Sequence, residues 1–139
     1  MPWRALGKIE MRVIDASALV KYFAKERGWK KVSELILDGV VSIELVVKEV
    51  ANSLWKKVRQ GDMEPEVALT LIGKVPKIVK IDSQSPFMTR AFKIALQYSI
   101  TVYDALYIAL AENRKYELIT CDKKQAEVAK ELDIDVLLV

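Results

Sequence analysis

Five short runs rich in β-branched residues constrain this chain more than anything else in it: "MRVID" (11–15), "VVSI" (40–43), "KIVKID" (77–82), "ELITC" (117–121) and "VLLV" (136–139). Each has adjacent apolar residues rather than a strict polar–apolar alternation, so as strands they have no wholly polar face to turn to water. Strands of that kind must be covered on both sides, which is the condition of a parallel sheet between two helix layers. The stretches between them have helical spacing. "ASALVKYFAKE" (16–26) places Leu19, Val20, Phe23 and Ala24 on one side, and "GWKKVSELILDG" (28–39) stops at Gly39. "ELVVKEVANSLWKKVRQG" (44–61) shows an apolar face of Val47, Val50, Ala51, Leu54, Trp55 and Val58 and stops at Gly61. "EPEVALTLIGKV" (64–75) opens with Pro65, a good first-turn residue. Further helices are expected over 86–99, 101–115 and 122–132. The order β-α-α-β-α-α-β-α-α-β-α-β predicts an α/β fold, a three-layer α/β/α sandwich around a central parallel sheet of about five strands. In such folds ligands sit beyond the carboxyl ends of the strands.

The remaining composition narrows the chemistry. The chain has no histidine and one cysteine, Cys121. That removes Ser–His–Asp and Cys–His nucleophile systems and the usual zinc sets, and leaves carboxylates, hydroxyls, Lys, Arg or a bound ion. A lone cysteine also fits a reducing compartment, and a cytoplasmic location is expected. No apolar run approaches the ~20 residues that span a bilayer, so no membrane role is expected. A net charge of +3 permits a nucleic-acid partner without arguing for one. The opening "MPWRALGKIE" has neither a signal-peptide core nor a pattern of its own. It is expected to be an extension (residues 1–10), with a single domain over 11–139. Nucleotide-binding glycine signatures are missing. A receiver-like domain would want paired acids after the first strand, and a haloacid-type phosphatase would want a second aspartate where Ser17 stands.

Four acidic positions remain, each with an ordinary reading. Asp15 ends the first strand and Asp122 follows "ELITC", where either could simply cap the next helix, Asp122 with Gln125 completing a capping box. Thr101-x-x-Asp104 is also a helix start. A cap does not explain why "VYDALYIAL" (102–110) is otherwise apolar on every side. Glu49 falls away from the apolar face of its helix, beside Asn52, Ser53 and Lys56, and by periodicity alone is solvated surface.

"VIDASALV", "VVKEVANSLWK", "TVYDALYIALAE" and "LITCDKK", in that order, closely resemble the PIN-domain family, and most of all its VapC-type toxins. The resemblance runs from Met11 to about the end of the chain. It implies an acidic quartet, Asp15, Glu49, Asp104 and Asp122, that binds Mg²⁺ or Mn²⁺ and hydrolyses RNA. Glu44 is the alternative fourth carboxylate if the helix phase differs. The resemblance also implies that Ser17, Asn52 and Thr120 either brace the quartet or touch phosphate. Lys21, Lys123 and Lys124 lie near quartet positions and are candidate RNA contacts. The implied partners are an RNA substrate, a small VapB-type antitoxin and a second copy in a homodimer. The alternative is a catalytically silent PIN-like module that binds RNA or protein. The chemistry suits the residue types. Carboxylates are ligands for hard, oxygen-preferring cations, and several converging carboxylates repel one another unless a cation is shared.

Overall fold

A computed structural model of the protein describes residues 11–139; the extension expected over 1–10 lies outside the described residues. The elements in chain order are β1 (Arg12–Ile14), α1 (Ala16–Phe23), α2 (Trp29–Asp38), β2 (Val40–Ile43), α3 (Leu45–Arg59), α4 (Pro65–Ile78) and β3 (Lys80–Asp82). A 3₁₀ turn at Ser85–Phe87 leads into α5 (Met88–Tyr98), α6 (Val102–Arg114), β4 (Glu117–Thr120), α7 (Lys123–Glu131) and β5 (Val136–Leu138). The five strands form one sheet in the order β3-β2-β1-β4-β5, and every pairing is parallel. The chain therefore builds outward from β1 to β3, then crosses back to place β4 on the other side of β1. That reversal opens a crevice beyond the carboxyl ends of β1 and β4. Asp15 follows one of those ends and Asp122 lies just past the other.

Val13, Ile14, Ile43, Leu118 and Ile119 of the central strands are fully buried, as apolar runs covered on both faces must be. The same logic applies to α6. Every residue from Ala105 to Ala111 is buried, because this helix packs on β1, β2 and β4 and is flanked by α5 and α7. A helix that is apolar all round is an interior helix. Truncating Ile108 or Leu110 to alanine is therefore expected to destabilise by ~2–5 kcal/mol. Among the described residues no single helix is long and apolar enough to cross a membrane.

Two expectations need correcting. The helix over 64–75 does not stop before Pro76; α4 continues to Ile78, and the strand begins at Lys80 rather than Lys77. Proline here falls in the last turn, where it forfeits its own bond to the Ile72 carbonyl and the helix ends two residues later. Burial of Val75 and Val79, joined by a 3.0 Å backbone hydrogen bond, carries the turn through. The second concerns α3, whose buried stripe is Leu45, Val46, Val50 and Leu54, while Trp55 is 53% exposed. Trp55 instead carries Arg59 over its ring at 5.3 Å. Leaving out Leu45 and Val46 while counting the solvated Trp55 turns the apparent apolar face and puts Glu49 opposite it. In fact Glu49 lies one turn after the buried Leu45, on the flank of the core stripe.

Candidate active site

Asp15 is built into the crevice by its own backbone. Its N–H donates to the Ile119 carbonyl (3.2 Å), and Oδ1 caps α1 by accepting from the Ala18 N–H (3.0 Å). Only 3% of Asp15 is exposed. Thr120 Oγ1 donates to Oδ2 at 2.6 Å, and Ser17 Oγ stands 2.8 and 2.9 Å from the two oxygens. Both hydroxyls are oriented from behind: Ser17 Oγ accepts from the Cys121 N–H and Thr120 Oγ1 from the Asp122 N–H, each at 2.9 Å. Their single protons are thereby aimed at Asp15. One N–H and two O–H donors meet a carboxylate with about four acceptor sites, so one site is left over. Thr120 is completely buried, which closes phosphate contact to it and leaves it the work of holding Asp15.

The cap reading and the site reading of Asp122 are both true. Its Oδ1 accepts from the N–H groups of Lys124 (2.9 Å) and Gln125 (3.1 Å) at the start of α7. The capping box is not formed. Gln125, 1% exposed, sends Nε2 to the main-chain carbonyl of Asp104 (3.2 Å) instead. One residue thus links the two helix starts that bear Asp104 and Asp122. Asp104 itself is half-buried in the first turn of α6, and its N–H is capped by Thr101 Oγ1 (3.1 Å).

Glu49 completes the group from α3, where its Oε1 accepts from the hydroxyl of Tyr107 at 2.6 Å. Asp15, Glu49, Asp104 and Asp122 all line one open cleft of about 650 Å³. Glu44 does not. Its Oε1 accepts from the Gln84 N–H (3.0 Å) while Gln84 Oε1 accepts from the Leu45 N–H (2.9 Å), a reciprocal pair that fastens the segment after β3 to the start of α3. Ser17 and Asn52 line the cleft as well. Lys21, Lys123 and Lys124 do not. Lys21 leans toward Gly28, and the other two lie exposed on the first turn of α7. The lysines that do line the cleft are Lys48 and Lys56, on either side of Asn52 along α3, together with the exposed Tyr103 beside Asp104. The sequence holds the signal for this wall: Glu49, Asn52, Ser53 and Lys56 repeat at helical spacing as one polar stripe.

Crowded carboxylates in a partly dry cleft resist ionisation. Burial pushes the Asp15 carboxyl up to about 6 against the pull of its three donors, and the charge of Asp104 adds to the rise. Asp104 is raised by burial first, then by the charges of Asp122 and Glu49. The Tyr107 hydroxyl is pushed far above its ordinary range by burial and by Glu49, so it stays a donor. Among the described residues no three carboxylates already close around an ion-sized space. They share a cleft rather than a cage, as uncompensated negative groups would. The donor set is oxygen only, and the spare acceptor site of Asp15 is available to a cation, so these residues fit a hard divalent ion.

The PIN domain family matches residues 12–131. A protein named Ribonuclease VapC3, from Pyrobaculum aerophilum, is 32% identical over 120 residues, 83% of this chain and 92% of that protein. Exonuclease VapC9 of the same organism is 30% identical over 128 residues, 91% of this chain and 92% of its own length. Among solved structures, PAE2754 from Pyrobaculum aerophilum superposes with a TM-score of 0.68 at 28% identity, covering 86% of each chain. A family match over nearly the whole described chain, on a fold with four carboxylates at the expected crevice, leads to one conclusion: the chain belongs to the PIN-domain family.

Proposed function

We propose that this protein is a metal-dependent endoribonuclease, the toxin of a VapBC-type toxin–antitoxin pair. The observation that carries the reading is the convergence of Asp15, Glu49, Asp104 and Asp122, from four separate elements, on one cleft at the sheet's reversal point. The names of its relatives, a ribonuclease and an exonuclease of the VapC type, support nuclease chemistry. Asp15, Asp104, Asp122 and Glu49 would hold Mg²⁺ or Mn²⁺. Such an ion supplies an acidified water and offsets charge on the phosphate in the transition state. The chain's own part is positioning. Asp15 is held by Ser17, Thr120 and the start of α1, so it can face a cation from one direction only. Glu49, across the cleft, orients or deprotonates the attacking water. Lys48 and Lys56 lie where they can meet backbone phosphates, and Asn52 between them can hydrogen-bond the same strand.

The partners follow from the same reading: RNA in the cleft, a small VapB-type antitoxin, and a homodimer, all in the cytoplasm. An exposed apolar stripe on α5, Met88, Phe92 and Leu96 at four-residue spacing, supports an interface of this kind. The deciding experiment uses a covalently closed circular RNA beside its linear form, with Mg²⁺ or Mn²⁺, for the wild type and for Asp104→Asn at matched melting temperature. The expected result is cleavage of both forms by the wild type only, abolished by EDTA. Cleavage of the linear form alone would replace the endonuclease with an exonuclease. Cleavage that survives in Asp104→Asn or in excess EDTA would remove the proposed mechanism.

A further inference from the structure

We propose that Tyr107 is a positioning residue of this site: its hydroxyl, buried between α6 and α3, holds Glu49 in the cleft opposite Asp104. The inference rests on the nuclease reading for Glu49's role, but the geometry stands by itself. Tyr107 is 1% exposed and is the largest of the fully buried side chains. A buried phenol needs a partner for its O–H, and here that partner is a carboxylate oxygen at 2.6 Å, a short, charge-assisted bond. Among the described residues the Glu49 side chain makes this one hydrogen bond and no ion pair. Its other oxygen has no hydrogen-bond partner among the described residues, and Glu49 lines the cleft.

The tie matters because of what else does not join the two helices. α3 packs chiefly on α1 and α4, whereas α6 packs on α5 and the central strands. Glu49 would otherwise be a flexible side chain on the flank of a helix with little direct hold on α6. Tyr107 stands three residues after Asp104, hence on the same side of α6. Its hydroxyl ends on the Glu49 carboxylate. Register between Asp104 and Glu49 is thus set by a rigid aromatic side chain with two rotatable bonds rather than by the glutamate's own rotamers. The competing account is that Glu49 merely serves as an acceptor for a core tyrosine. On that account the loss of the hydroxyl would touch stability and nothing else.

The test is Tyr107→Phe, which removes one oxygen and keeps the ring. We expect folding to be retained, direct Mn²⁺ binding measured by calorimetry to weaken by about tenfold, and kcat to fall by a similar factor, with KM for RNA changed less than about twofold. In a Glu49→Gln background the same substitution is expected to cost less than about twofold on either readout, because the partner is already compromised. Tyr107→4-aminophenylalanine, which keeps a donor at the same point, is expected to restore Mn²⁺ binding to within about twofold of the wild type. Tyr107→Phe with wild-type Mn²⁺ affinity and kcat, an undiminished penalty in the Glu49→Gln background, or failure of the amino variant to rescue would each overturn the proposal. A wild-type protein that binds Mn²⁺ but cleaves no RNA would overturn the nuclease reading, while the binding arm still decides Tyr107. Absence of Mn²⁺ binding by the wild type would overturn both.

Discussion

Asp15 shows how one carboxylate can cap a helix, terminate a strand and remain available to a ligand. Removing one of its donors should expose the division of labour. Thr120→Val keeps the shape but loses the 2.6 Å bond to Asp15 and orphans the Asp122 N–H behind it. We expect a loss of ~1.5–3 kcal/mol in denaturant unfolding and a still higher Asp15 pKa, with Thr120→Ser close to wild type in both. The pH behaviour of Asp15 has a definite sign. Its carboxyl titrates at about 6 in the folded protein against 3.8 for an unperturbed aspartate. Between those values the folded chain binds a proton that the unfolded chain has released, so metal-free stability falls as pH rises from about 4 to about 6. Glu112, lowered by its Arg90 partner, pulls the opposite way at the acid end. The comparison therefore belongs between wild type and Asp15→Asn. The wild type is expected to lose stability relative to the variant across this window, by roughly 3 kcal/mol in total. Divalent ions should restore it above pH 6 and do little at pH 4.5, as read by melting temperature.

At the scale of elements, helix starts do double duty. The residues at 15, 104 and 122 were legible in the sequence because local signals fix them: a β-branched run ending in an acid, a capping pattern, a carboxylate in an apolar helix. Glu49 was legible only through family resemblance. Its side depends on how α3 is rotated against the core, and a wheel that starts the apolar face at Val47 misses the buried Leu45 and Val46 that place Glu49 on the flank. The cleft lysines were missed for the same reason, since proximity in sequence to Asp15 and Asp122 favoured Lys21, Lys123 and Lys124 over Lys48 and Lys56. Gln125 is the element-scale residue that no periodicity announces. Its Nε2 reaches Asp104's carbonyl while its buried Oε1 has no partner among the described residues. Gln125→Met removes that orphan along with the bond, so stability should change by less than about 1 kcal/mol. Cleavage is nonetheless expected to fall several-fold, because the starts of α6 and α7 lose their link. A melting curve beside an initial-rate assay separates the two.

The whole molecule follows from strand order. Five parallel strands reversing direction of growth at β1 leave a crevice, and Asp15 and Asp122 fall there because it is where β1 and β4 end, while α3 and α6 bring Glu49 and Asp104 to it. Apolar runs and helical spacing were enough to foresee that architecture. Strand limits near Pro76 were not, because burial of Val75 and Val79 overrides local propensity. The molecule's outer face carries the other test. Phe92→Glu, on the exposed stripe of α5, is expected to shift sedimentation toward monomer without altering the fold by circular dichroism. An unchanged sedimentation coefficient would remove that stripe from the interface.

The encirclement of α6 has a consequence for motion. Amides from Ala105 to Ala111, buried on every side, should be among the slowest in the protein to exchange with deuterium, opening only with global unfolding. Those of α3, a third of whose residues are exposed, should exchange sooner. Asp104 is thus mounted on the last part of the molecule to yield and Glu49 on an earlier one. The Tyr107–Glu49 bond should then be the first link of the cleft to part as the protein is warmed, with Asp104 still in its place.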